Sequence, residues 1–213
     1  MINYSEADSK RNFQLIVGDK ILYVNAHYLA TLSPYFDSLF FSTFKESTDR
    51  KVTLFDDDPQ ELEILFNYMC PSDDYTYNKK ITEDNLPILI FYSAKFLIPE
   101  LKKELINFIS TDFDEKLKHI TYEKSLQILI ECINAQYTQS ECWSVCRSIG
   151  KHGEEKIRLT MKDMPNEIID LVVKYARAHV RHYFIVKSFF LVLFINGISI
   201  TINHYRKNTS VGS

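Results

Sequence analysis

Four cysteines and six histidines are the residues best suited to chemistry in this chain, and their spacing supports little of it. Cys142 and Cys146 stand one helical turn apart, with Cys132 and His152 not far away in sequence, so a thiolate-held metal is one reading. The set lacks the C-x-x-C knuckle of structural zinc sites. Both cysteines also share a helical stripe with Val145 and Ile149, and free cysteine is among the most buried residue types. Core packing is the expected role, and no metal or cofactor is expected. His27, His119, His152, His179, His182 and His204 are scattered without triad partners. No G-x-S-x-G, Walker loop or G-x-G-x-x-G is present, and 5 glycines build no phosphate cradle. The acidic run Asp56-Asp57-Asp58 lacks further spaced oxygen ligands, so it reads as a helix cap rather than a cation cage. No catalytic residue is assigned, and the chain is expected not to be an enzyme.

The spacing suits recognition better. Phe44, Lys45 and Glu46 set one large apolar side chain beside an acid in an otherwise polar stretch. A single aromatic anchor with a charge to orient it is how a protein partner is commonly held. The plainer alternative is that Phe44 covers its own core.

The elements that position this triplet can be read on either side of it. Phe13 to Val17 and Ile21 to Val24 are apolar runs around Gly18-Asp19-Lys20, which predicts a hairpin. Asn25 caps a helix through Leu32, with Leu29 and Leu32 on one face. Ser33-Pro34 starts the next helix, with Phe36, Leu39 and Phe40 inward. Lys51 to Phe55 alternates as a half-buried strand. Asp58-Pro59-Gln60-Glu61 opens a helix bearing Leu62, Leu65, Phe66 and Met69 at i, i+3, i+4, i+7. After a loop from Pro71 to Lys80, a helix is predicted over Leu86 to Leu97 with Leu89, Ile90, Ala94 and Leu97 inward. Pro99 starts another, with Leu101, Leu105 and Phe108 inward. The remainder is helical, with stripes Leu126-Leu129-Ile130-Ile133, Cys142-Val145-Cys146-Ile149 and Ile168-Leu171-Val172-Tyr175.

With 46% hydrophobic residues a core is affordable, and a net charge of −3 leaves no basic excess to track a phosphate backbone. This argues against nucleic acid as a direct partner, and none is expected. Four cysteines in 213 residues are no disulfide scaffold and fit a reducing compartment, cytoplasmic or nuclear. The N-terminus has no apolar h-region of a secretory signal.

Phe13 to Ile109 resembles a BTB/POZ domain along nearly its whole length. The resemblance rests on FQLIVGDKILYVNAHYLATLSPYFDSLF, then KVTLFDDDPQELEILFNYM, then ITEDNLPILIFYSAKFLIPELKKELINFI in that order. The variants VNAHYLA and CPSDD…ITEDN are most similar to nematode BTB proteins, including those that carry a MATH domain, and no MATH domain precedes the match here. The implied fold is α+β, a small sheet flanked by a helical cluster and followed by an all-helical, BACK-like extension. The expected organisation is a disordered 1–11, a BTB/POZ domain at 12–110, a helical extension at 111–180 and an apolar tail at 181–213.

The resemblance implies two kinds of partner. BTB domains associate through their first helices, often as homodimers, which makes Leu29 and Leu32 candidates for the dimer side. Many are adaptors of cullin-RING ubiquitin ligases, and there an apolar-x-Glu triplet before the third strand meets the cullin. Phe44-Lys45-Glu46 occupies that place, with Cys70 and Phe96 at positions where such adaptors frequently carry tyrosine. Asn12 and Asn25 stand where transcription-factor BTB domains carry Asp and His, which argues against that subclass. The expected function is a homodimeric adaptor that recruits a cullin scaffold to an unidentified substrate protein. The competing class is an oligomerisation or scaffold module with no ligase role.

Residues 183–202, YFIVKSFFLVLFINGISITI, approach the length of a spanning helix, although their uninterrupted apolar core is only Phe189 to Ile195. A tail anchor, a buried final element and a terminus unrelated to the domain are the three readings. Membrane contact is expected, if at all, only through this segment.

Overall fold

The computed structural model describes residues 2–41, 50–72, 75–77 and 79–177. Strands β1 (Phe13–Val17) and β2 (Lys20–Val24) form the hairpin, paired from Phe13 opposite Val24 to Val17 opposite Lys20. Gly18 takes φ +59° at the first central position of the two-residue turn, as a type II′ turn requires. The inward residues Leu15, Val17, Leu22 and Val24 are buried.

Helix α1 (Ala26–Leu32) starts where Asn25 Oδ1 accepts the Tyr28 N–H at 3.0 Å. Helix α2 (Pro34–Phe41) follows after one residue. The Ser33 hydroxyl accepts the N–H groups of Tyr35 and Phe36 at 3.1 and 3.2 Å, and Pro34 fills a position whose N–H would be idle. Phe36 and Phe40 turn inward and stack with centroids 5.5 Å apart.

Strand β3 (Lys51–Leu54) then lies parallel to β1 on the edge away from β2, giving the order β2-β1-β3. Val52 and Leu54 are buried and their neighbours exposed, the period of two that the sequence carries. In α3 (Pro59–Met69), Asp58 Oδ1 accepts from the N–H groups of Gln60 and Glu61 at 2.7 and 3.2 Å. Leu62, Leu65, Phe66 and Met69 are all buried.

Helices α4 (Asn85–Lys95) and α5 (Pro99–Ile109) correct the expectation of an inward Leu97. Ile98 precedes a proline and is extended, at φ −101° and ψ 90°, because proline disfavours a helical residue before it. The chain must leave the helix first. Leu97 does so at φ +50° and ends 58% exposed. In α5 the third inward position is Ile109, and Phe108 is half-buried.

Helices α6 (Phe113–Lys116), α7 (Tyr122–Asn134) and α8 (Trp143–Gly150) follow, and α7 packs against α4. The buried face of α7 is Ser125, Leu126, Ile128, Leu129 and Cys132, whereas Ile130 and Ile133 are half-buried. Ser125 tolerates burial because its hydroxyl donates to the Thr121 carbonyl at 3.0 Å. Cys142, Val145, Cys146 and Ile149 are all buried, with the Cys142 and Cys146 sulfurs 3.7 Å apart.

By compactness the chain divides into Met1–Ser148 and Ile149–Ser213. Within the second unit, α9 (Glu154–Thr160) is followed by a helix over 166–177. Its buried residues are Ile169, Val172, Val173 and Ala176, so the expected stripe is corrected: Ile168 and Leu171 face out. Arg158 bonds both Glu154, at 2.8 Å, and Asp170, at 2.7 Å. The segment 183–202 lies outside the described residues. Among the described residues no helix is long and apolar enough to cross a membrane. The architecture is α+β.

Candidate functional site

The corner between α4 and α5 is built around aromatic rings. Phe96, fully buried, lies 4.9 Å from Phe36, 5.1 Å from Tyr35 and 5.2 Å from Tyr92 between centroids. Offset and tilted contacts at such distances are favourable beyond the area they bury. The buried Ser33 hydroxyl donates to the Phe96 carbonyl, so the cap of α2 also holds the end of α4. One residue thereby ties the helix that leads toward Phe44 to the bend at Leu97.

Outside this corner runs an open groove of about 750 Å³. Pro34, Phe91, Ala94, Leu97 and Ile98 form its apolar wall, and the end of α7 closes the other side at Glu131 and Ala135. Phe91 is 39% exposed and Leu97 58%, so two large apolar side chains stand beside one concavity. Contiguous exposed apolar surface of this kind marks interaction sites more often than scattered single residues do.

The charges around the groove are mostly spoken for. Lys95 Nζ lies 2.6 Å from Asp57, whose side chain is only 2% exposed, and 5.6 to 6.0 Å from the rings of Phe91, Tyr92 and Phe96. Asp57 therefore anchors the α4 end, a role its place beside the Asp58 cap did not announce. Lys102 sits 5.0 Å from the Tyr137 ring centroid. Burial pushes the Glu131 carboxyl above the usual carboxylate range, partly offset by its bond to Asn134. The groove is thus apolar with one weakened acid, and no set of three metal-ligating side chains occurs among the described residues.

The residues singled out from sequence separate here. Phe44, Lys45 and Glu46 lie outside the described residues. Phe96 packs inside the corner and offers no surface. Cys70 lies at the end of α3, beside Tyr4 and Tyr28 in a second concavity. Leu29 is fully buried in its own fold, and Leu32 is half-buried. On the outer side of α1 and α2, His27 and Phe41 stack at 4.8 Å, and Phe41 is exposed. Phe91, Leu97 and Glu131 were not foreseen as a site. The one available signal was Leu97-Ile98-Pro99, where a helical pattern must break.

A BTB/POZ domain family model matches residues 3–113. Kelch-like protein 41a of Danio rerio is 31% identical over 98 residues, 45% of this chain and 16% of that protein. Kelch repeat and BTB domain-containing protein 8 of Xenopus tropicalis is 32% identical over 81 residues, 38% of this chain and 12% of the relative. BTB and MATH domain-containing protein 38 of Caenorhabditis elegans is 33% identical over 95 residues, 45% of this chain and 23% of the relative. The match spans less than a quarter of each relative's length.

Proposed function

The chain belongs to the BTB/POZ domain family, and from that membership we propose that it is a homodimeric protein–protein interaction adaptor that brings a cullin-RING ubiquitin ligase scaffold to a substrate protein. The observation that carries the proposal is the groove at the α4–α5 corner, with Leu97 and Phe91 exposed beside it. A few anchors that fill well-packed, desolvated pockets carry most of the energy of a protein interface, and an exposed aromatic such as Phe91 beside an apolar trough suits that pattern. The Ser33 bond to Phe96 links this corner to α2, the helix that precedes Phe44-Lys45-Glu46. Triplet and groove are then two contacts for one partner: an aromatic anchor with an acid, and an apolar trough.

Calorimetric titration with a cullin N-terminal domain tests this. Phe44→Ala, Glu46→Lys and Leu97→Asp are each expected to weaken binding at least about tenfold. Wild-type affinity in the first two variants removes the triplet from the site, and wild-type affinity in Leu97→Asp removes the groove.

A second reading, an oligomerisation module with no ligase role, is favoured by the exposed His27–Phe41 stack on α1 and α2. Absence of cullin binding by the wild-type chain, with a dimer in light scattering that Phe41→Asp dissociates, would select it.

A further inference from the structure

The second compact unit, Ile149–Ser213, holds α9 and the helix over 166–177 among its described residues. Arg158 reaches Asp170 and Arg177 reaches Glu154, so the two helices run antiparallel. They bury Ile157 from one helix and Ile169, Val172, Val173 and Ala176 from the other. Leu159, Met164, Ile168 and Leu171 stay 36 to 70% exposed. Two helices alone cover too little of each other to close a core, and an apolar helical stripe is stably buried only when a further layer packs on it.

A furrow of about 400 Å³ lies within this unit, lined by Ile157, Val173 and Ala176 with Gly150 and Gly153. A Cβ added at Gly153 would meet nothing within 4 Å, so the furrow is open there. Its charged described residues, Glu154 and Arg177, pair with each other, which leaves apolar surface as what it offers an occupant. The chain supplies a candidate of that chemistry. Arg177 lines the furrow and is the last described residue. The sequence beyond it carries FFLVLFI at 189–195, seven apolar residues without a break. Residues 178–188 join the two and extend up to about 40 Å, roughly twice the length of the 166–177 helix, so the run can turn back along the furrow.

We propose that the apolar run Phe189–Ile195 folds back into the furrow lined by Ile157, Val173 and Ala176 and is the further element that closes the core of this unit. The run is then removed from water by its own chain rather than by a membrane or a second copy. This docking does not depend on the cullin reading.

Amide hydrogen exchange of the full chain, read by mass spectrometry, tests the proposal. Amides of 189–195 are expected to exchange at least about tenfold slower than the intrinsic rate of an unstructured chain, at every protein concentration tried. Leu191→Asp places a charge in the run and alters neither helix. It is expected to release 189–195 and to speed exchange over 166–177 at least about fivefold, with β1 to β3 and α4 unchanged. Ala176→Leu fills the furrow from below and is expected to release 189–195; if that variant does not fold, Leu191→Asp still decides. Intrinsic exchange rates at 189–195 in the wild-type chain would overturn the proposal. So would unchanged exchange over 166–177 in Leu191→Asp, or unchanged protection of 189–195 in a folded Ala176→Leu. Protection that falls on dilution would assign the run to a second copy, and flotation of the wild-type chain with phosphatidylcholine vesicles would assign it to a membrane; either result overturns the docking as well.

Discussion

Ser33→Ala tests the corner on which the groove depends. The Ser33 hydroxyl accepts two N–H groups at the start of α2 and donates to the carbonyl of Phe96. Loss of a serine cap costs about 1 kcal/mol. The Phe96 carbonyl, at a helix end with no following turn to bond it, then stays buried without its donor, which adds about 1–2 kcal/mol. The expected total is about 2–3 kcal/mol. For a chain of this size each kcal/mol moves the melting temperature by about 2–4 °C, so a fall of about 4–12 °C is expected by calorimetry or circular dichroism. Ser33→Thr keeps the hydroxyl and is expected to lose less. A fall under about 1 °C in Ser33→Ala, or equal falls in both variants, would refute the argument that this hydroxyl holds the corner.

The other expectations concern charge and strain. Lys95→Met leaves the nearly inaccessible Asp57 carboxylate without its partner and is expected to cost about 2–3 kcal/mol in urea unfolding, with the double variant Asp57→Asn/Lys95→Met losing less than Lys95→Met alone. Glu131 has its pKa raised by burial, so the folded state holds its proton to higher pH than the unfolded state does. Stability from this group is full below the unfolded pKa and falls as pH rises through the folded one. Glu131→Gln is therefore expected to raise the melting temperature at pH 7 and to leave it unchanged at pH 4. Glu141 runs the other way. Its bonds from Thr138 hold the pKa down, so Glu141→Gln is expected to lower the melting temperature at pH 7 and to do so less as pH falls through the folded pKa. Leu97→Gly relieves a left-handed residue and is expected to stabilise the free chain by about 0.5–1 kcal/mol while weakening the cullin titration, whereas a lower melting temperature would place Leu97 in the fold rather than at a partner.

Local signals were legible where one residue type does one job. Asn25, Ser33 and Asp58 each accept N–H groups at a helix start, and each was readable as a cap from its own identity and its neighbours. Strand alternation was equally direct. Rotation of the later helices was not, because several faces of α7 carry enough apolar residues to be chosen. Packing against α4 selects the face with Ser125 and Cys132 over the more hydrophobic Ile130 and Ile133, and Ser125 avoids an unpaired hydroxyl by bonding within its own helix. The groove was illegible for a different reason. Pro34, Phe91 and Glu131 are far apart in the chain and meet only through tertiary packing. Leu97 was misread as inward because a helical period extends past Lys95, while the proline two residues on decides otherwise.

The order β2-β1-β3 also sets a timetable. The hairpin and α1 need only neighbours in sequence and can form as they emerge. β1, the central strand, cannot complete its second edge until β3 arrives, and thirty residues separate the end of β2 at Val24 from the end of β3 at Leu54. At ordinary synthesis rates that is roughly 2–6 s during which one edge of β1, flanked by the apolar side chains of Leu15 and Val17, stays open to any other strand. The parallel pairing that gives the finished sheet its third strand is thus what exposes the nascent chain to mispairing.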